Sequence, residues 1–184
     1  MIHEALVYAM MAHRSIGQKR NYTGEPYVVH PVEVMGLLLA HTTGRFLKPP
    51  VLAAALLHDV VEDTFVTIED IMDQFGTDVA RYVNGLTDKY SNGYADETGR
   101  ILNRAERSAR EAKRLWCECE IIQTIKCADL ISNTRSIVAH DSGFAKTYLP
   151  EKRLILSGLH RAHQTLYNLA QTSLRQAEAD LAKR

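Results

Sequence analysis

The chain has 184 residues, 46% of them hydrophobic and 24% charged, an ordinary globular composition with enough apolar material for one full-sized core and no sign of disorder. Twenty-two basic and 22 acidic residues balance, which argues against duplex nucleic acid as the main partner but leaves room for a local cluster that binds a small anion. No apolar run reaches the roughly 18 residues of a membrane span, and the N-terminus, with His3 and Glu4, lacks a signal-peptide pattern.

The pattern is helical almost throughout. Residues 2–14 place Ala5, Leu6, Ala9 and Met10 at helical spacing, which predicts a first helix. A polar loop, Ser15 to Pro26, follows. His30-Pro31 opens a second helix that runs to about His41, since proline suits a first helical turn. Pro49-Pro50 starts a third, from Val51 to about Glu62, apolar on every face and therefore buried. Thr67 with Asp70 reads as a capping box for a short helix ending near Gly76. Asp78 to Tyr90 is expected to be helical, and Ser91 to Thr98, with Asn92-Gly93, a loop. Residues 99–115 carry a dense charge pattern that reads first as a solvated helix face. Glu118 to about Ala139 is helical again, and one helix or a broken pair fills Phe144 to Leu181. The expectation is an all-α helical bundle in one domain over residues 1–184. Cys117, Cys119 and Cys127 are odd in number and lack the second pair of a zinc site, so free structural thiols and a cytoplasmic location are expected.

Three places interrupt apolar helices with metal-competent side chains. His58-Asp59 ends the run LAAALLHDVVED. Burying those two side by side costs several kcal/mol unless something compensates them, and a divalent cation does so. Glu62 and Asp63 lie four residues after His58 and Asp59 and share their helix faces. His30 stands at a loop-to-helix junction, where a histidine alone is more often structural and gains meaning only beside His58-Asp59. Asp129 falls within the apolar stretch Ile121, Ile122, Ile125, Ala128 and Ile131 and needs a cation or donors, with Asn133 four residues on. Two histidines and two aspartates suit Mn²⁺ or another first-row ion, and imidazole disfavours Ca²⁺ and Mg²⁺. A second dipeptide, His140-Asp141, lacks the apolar run and the following acids, and Asp141 or Ser142 reads as a helix cap. Trp116 reads as packing, and His160 and His163 as surface or interface residues.

The H…HD…D arrangement resembles the HD phosphohydrolase superfamily. GEPYVVHP (Gly24–Pro31), ALLHDVVEDT (Ala55–Thr64) and TIKCADLISNT (Thr124–Thr134) are similar to the hydrolase domain of the RelA/SpoT alarmone enzymes of the stringent response. Ending where those enzymes continue into a synthetase, the chain resembles the single-domain small alarmone hydrolases. The resemblance implies an HD-domain helical bundle, one Mn²⁺ per chain on His30, His58, Asp59 and Asp129, and Glu62 and Asp63 positioning and activating water. It implies hydrolysis of the 3′-pyrophosphate of (p)ppGpp to GDP or GTP and pyrophosphate. Lys19 and Arg20 match the family's basic pair around the base, Tyr27 and Asn133 its nucleoside contacts, and Ser136 a hydroxyl position. Lys89 and Arg107 are weaker candidates for the phosphates. The same site could serve the 2′-phosphate of NADPH or (p)ppApp. A non-catalytic alarmone-binding or antitoxin-like protein would be expected to break the metal set or the acid pair, which are both complete here. Assembly into a homo-oligomer is left open.

Overall fold

The computed structural model describes residues 1–183. It is all-α. The helices are α1 (Ile2–Ser15), α2 (Val29–His41), α3 (Pro49–Leu57), α4 (Val60–Asp63), α5 (Ile68–Phe75), α6 (Thr77–Leu86), α7 (Arg104–Cys117), α8 (Glu120–His140), α9 (Ser142–Leu156) and α10 (Gln164–Ala182), with a 3₁₀ turn at Gly44–Leu47. No helix among the described residues is long and apolar enough to cross a membrane.

Helix α3 is the hub. Its apolar composition leaves no polar face to solvate, and every residue from Val51 to Leu57 is buried. Helices α1, α2 and α6 pack around it. Leu52, Leu56 and Leu57 each contribute about 1.5–3 kcal/mol by burial, an upper bound because the unfolded chain is already partly collapsed. Helix α1 meets α3 through Ala5 and Ala9, both fully buried, and these small residues let the two backbones approach. Helix α8 forms the second axis and packs on α2, α6, α9 and α10.

The caps follow the local chemistry. Thr67 and Asp70 form the expected capping box of α5. Asn103 and Glu106 form a second one at α7, so that helix starts five residues later than its charge pattern suggests. Asp141 accepts from the Phe144 amide and caps α9. The last segment is the broken pair, α9 and α10. The three cysteines are free thiols.

Two expected helices are corrected. The third does not run from Val51 to Glu62 but breaks at His58-Asp59 into α3 and α4. The His58 ring meets the Ala55 carbonyl at 2.9 Å through Nδ1, and that carbonyl is the one an unbroken helix would offer to the Asp59 amide. The helix expected over Asp78 to Tyr90, α6, stops at Leu86. Beyond it, side chains take up the backbone groups: the Asp88 amide donates to Glu62 Oε2 at 2.8 Å and the Tyr90 amide to Asp88 Oδ1 at 2.8 Å. Residues 91–103 are tied by an antiparallel bridge between Ala95 and Ile101.

Trp116 is a packing residue, its Nε1 donating to the Ile155 carbonyl at 2.9 Å. A methyl group added at Gly158 would fall inside the indole ring. Gly158→Ala is therefore expected to cost about 1–3 kcal/mol by overpacking. Urea unfolding followed by the fluorescence of this lone tryptophan checks the loss, and wild-type stability would show that the ring can shift.

Candidate metal centre and active site

Four side chains from three elements meet where α3 breaks. His30 comes from the first turn of α2, His58 and Asp59 from the break, and Asp129 from the middle of α8. Ligand atoms of His30, His58 and Asp129 all lie within 4.8 Å of one another. Asp59 reaches the same two nitrogens, with Oδ1 3.1 Å from His58 Nε2 and Oδ2 3.5 Å from His30 Nε2. Asp129 Oδ1 lies 3.2 Å from His30 Nε2 and 3.8 Å from His58 Nε2.

Hydrogen bonds behind the rings decide which nitrogen faces this point. His58 Nδ1 faces a carbonyl, which only accepts, so Nδ1 carries the proton. Ser132 Oγ donates its single proton to Glu33 Oε2 at 2.7 Å, so it accepts from His30 Nδ1 at 3.0 Å. Both Nε2 atoms are thereby turned inward. They are buried and have no hydrogen-bond partner among the described residues. Orphaned buried donors or acceptors are rare, whereas two imidazole lone pairs beside two carboxylates are what a first-row divalent ion requires.

The electrostatics agree. Burial alone would depress the His58 imidazolium, but Asp59 and Asp129 outweigh it and raise its pKa well above the ordinary value. The cavity therefore draws positive charge, which a proton on His58 supplies where no cation takes that lone pair. Burial would raise the Asp129 carboxyl, yet Lys126 and the two histidines hold it well below the usual range. Lys126 Nζ lies 2.8 Å from Asp129 Oδ2, and Asn133 donates to Asp129 Oδ1 at 2.6 Å. Tyr27 donates to Asp59 Oδ2 at 2.6 Å.

The acid pair follows directly. Glu62 is exposed at the rim and accepts the Asp88 amide. Asp63 is half-buried and accepts from Gln18 Nε2 at 2.8 Å. Burial and the charge of Asp59 push its carboxyl above the usual value, and Glu62 is pushed the same way, which makes each a stronger proton acceptor than a free carboxylate.

The remaining expected residues are spread around this centre. Arg20, Ser132, Arg135, Ser136 and His140 line a cleft of about 470 Å³, and Arg20 pairs with Glu33 at 3.7 Å. Lys19 faces a different cavity of about 300 Å³ with His13, Gln18 and Tyr27. Lys89 is exposed and donates to Asn84 Oδ1 at 2.7 Å. Arg107 is held by the Leu102 carbonyl at 2.8 Å.

Sequence reasoning passed over His13, Gln18, Glu33, Lys126, Ser132 and Lys152. His13 had a readable signal, since it continues the buried Ala5–Ala9 face at a spacing of four. Lys126 had one too, three residues before Asp129 on the same helix. Lys152, one turn beyond Tyr148, stands over that ring at 5.0 Å. Burial and the charge of Lys126 lower its pKa, so the two cations share a neighbourhood that an anion would relieve.

The HD domain family matches residues 5–146. Over 139 residues the chain is 34% identical to the GTP pyrophosphokinase rsh of Brucella melitensis, a match covering 74% of this chain and 17% of that protein. It is 36% identical over 141 residues to the putative GTP diphosphokinase RSH1, chloroplastic, of Oryza sativa subsp. japonica, covering 74% and 15%. The chain thus spans under a fifth of the length of these long relatives. It is also 34% identical over 134 residues to the guanosine-3′,5′-bis(diphosphate) 3′-pyrophosphohydrolase MESH1 of Danio rerio, covering 73% and 67%. Among solved structures, a metazoan ortholog of SpoT described as hydrolysing ppGpp superposes with a TM-score of 0.79 at 28% identity, over 95% of this chain and 94% of that one. The lmo0812 protein of Listeria monocytogenes EGD-e shares the fold, with a TM-score of 0.64 at 23% identity, over 85% and 98%.

Ser132→Ala removes the acceptor that orients His30 and is expected to weaken divalent-metal binding about 10- to 100-fold. Titration calorimetry reads the change, and an unaltered affinity would show that the ring holds its orientation without Ser132. Chelation by EDTA is expected to lower the melting temperature, because an ion that binds only the folded state stabilises it.

Proposed function

This chain belongs to the HD-domain family, and from that premise we propose that it hydrolyses the 3′-pyrophosphate of (p)ppGpp, releasing pyrophosphate and GDP or GTP. The observation that carries the reading is the convergence of His30, His58, Asp59 and Asp129 on one point beside a carboxylate whose pKa is raised. The likeness to MESH1 and to the SpoT ortholog supports the choice of substrate.

In this reading His30, His58, Asp59 and Asp129 hold one Mn²⁺ per chain. Such an ion supplies Lewis acidity toward phosphoryl oxygens and toward water. Asp63 accepts the proton of the attacking water, and Glu62 orients that water from the rim. Water adds to the phosphorus attached to the 3′ oxygen, the P–O3′ bond breaks as pyrophosphate separates, and the 3′ oxygen leaves with the bonding pair and takes up a proton from solvent to become the hydroxyl. Tyr27 keeps Asp59 oriented through its hydroxyl and borders the nucleoside with Asn133. Arg20, which shares its cleft with Ser136, is the member of the basic pair placed to stack on the base, because a planar guanidinium stacks better than an ammonium. Lys19 adds charge from the neighbouring cavity. Lys89 and Arg107 stand further out and meet the phosphates, while Lys126 and Lys152 contribute positive potential beneath them. The working compartment is the cytoplasm.

Pyrophosphate release from ppGpp, measured with Mn²⁺, with EDTA and with Asp59→Ala, tests this. The expected result is metal-dependent release that falls by at least about 100-fold in the variant, as when a group essential to transition-state stabilisation is removed. No release from folded, metal-loaded protein would discard the substrate, and turnover of NADPH or (p)ppApp instead would reassign the same site.

A further inference from the structure

His13 is only 1% exposed, at the inner end of α1. Its Nδ1 lies 2.6 Å from Gln18 Oε1, and Gln18 Nε2 donates to Asp63 Oδ2 at 2.8 Å. The order of protons along this chain is forced. A carboxylate only accepts, so the amide nitrogen of Gln18 faces Asp63 and its oxygen faces His13. An amide oxygen only accepts, so His13 Nδ1 carries a proton. Turning the amide over would set its oxygen against the carboxylate and give up the hydrogen bond from His13 Nδ1. The amide is thus held at both ends.

The backbone is shaped for the same contact. Gly17 adopts a φ of +68°, which an L side chain adopts at a cost, and the Gln18 amide donates to the His13 carbonyl at 3.0 Å. The chain therefore doubles back just after α1 and lays Gln18 against the ring. The Tyr27 ring stacks at a tilt on His13, with centroids 4.5 Å apart, while its hydroxyl holds Asp59. One loop thereby ties down the carboxylates of both Asp59 and Asp63. Burying an imidazole here, with Nε2 unpartnered among the described residues, costs stability and makes sense as support for something else.

We propose that His13 and Gln18 are positioning residues for the Asp63 carboxylate. His13 locks the Gln18 amide, and the locked amide holds Asp63 Oδ2, so that the other carboxylate oxygen stays aimed at the attacking water. This rests on the reading of Asp63 as the proton acceptor. Removing the lock leaves Asp63 present and ionisable, with the Tyr27 hydroxyl as its remaining side-chain contact.

The test is kcat and KM for pyrophosphate release from ppGpp with Mn²⁺, for wild type, His13→Leu, His13→Asn, Gln18→Glu and the His13→Leu/Gln18→Glu double variant. Gln18→Glu keeps the shape and replaces the donor with a repelling oxygen. His13→Leu and Gln18→Glu are each expected to lower kcat about 10- to 100-fold, the range for outer-shell support, with KM and the calorimetric Mn²⁺ affinity within about threefold of wild type. His13→Asn, whose Nδ2 can donate from the place of Nδ1, recovers most of the kcat lost in His13→Leu. The double variant is no slower than Gln18→Glu alone, since His13 acts through Gln18. A loss carried by KM or metal affinity, equal rates for His13→Asn and His13→Leu, or additive losses would each overturn the role. Because Gln18 lies nearer the surface, Gln18→Glu decides the matter even if His13→Leu does not fold. Wild-type rates in Gln18→Glu would remove the positioning role and leave the hydrolase reading intact. No release by the wild type would remove both.

Discussion

Two aspartates and two imidazoles share one buried point inside an apolar helical bundle, and much of the surrounding structure is arranged to make that tolerable. A carboxylate at that depth is costly without a cation or several donors. Asp129 has Lys126 and Asn133 on its own helix, Asp59 has the Tyr27 hydroxyl, and both have the histidines. The support is graded: Lys126 pairs with the outer oxygen of Asp129, Asn133 and Tyr27 donate to oxygens that also face the histidines, and the inward nitrogens have no hydrogen-bond partner among the described residues. A site designed only to be stable would have closed those nitrogens with a hydroxyl or a carbonyl.

The helix break at His58-Asp59 belongs to the same constraint. If α3 continued through these residues, Ala55 would serve the backbone alone. Giving that carbonyl to the His58 ring fixes the imidazole and releases Asp59 from helical register, so that both of its oxygens reach histidine nitrogens. The following turn, α4, then swings Glu62 and Asp63 to opposite supports, the Asp88 amide and the Gln18 side chain. The end of α6 is coupled to this arrangement, because the backbone beyond Leu86 is satisfied by the side chains of Glu62 and Asp88 instead of by further helix.

Support behind the site arrives from both ends of the chain. His30, Ser132, Glu33 and Arg20 form a file from the centre to the cleft, and His13, Gln18 and Asp63 form another toward the loop after α1. The second runs donor to acceptor in one direction from His13 to Asp63, and the first runs from His30 to Glu33, where the Arg20 cation meets it. The loop between α1 and α2 takes part in both, which couples the orientation of the metal-competent residues to that of the basic pair Lys19-Arg20.

Local sequence determined the helical class, the buried character of α3, the capping box at Thr67 and the cap at Asp141, because period and capping are properties of a few adjacent residues. It also marked out His30, His58, Asp59, Asp129, Glu62 and Asp63, since acids and histidines inside apolar runs are anomalous without a cation; their roles as ligands and acids came from a family resemblance. Tertiary structure decided where α3 breaks and where α6 stops, because both depend on side chains from elsewhere competing for backbone groups. It also decided the separation of Lys19 from Arg20 into different cavities and the partners of each inward-facing ring. His30 and Ser132 lie 102 residues apart and Gln18 and Asp63 lie 45 apart. A hydrogen bond across such a distance leaves no periodic trace in the chain, and only the packing of α1, α2 and α8 about α3 brings its two halves together.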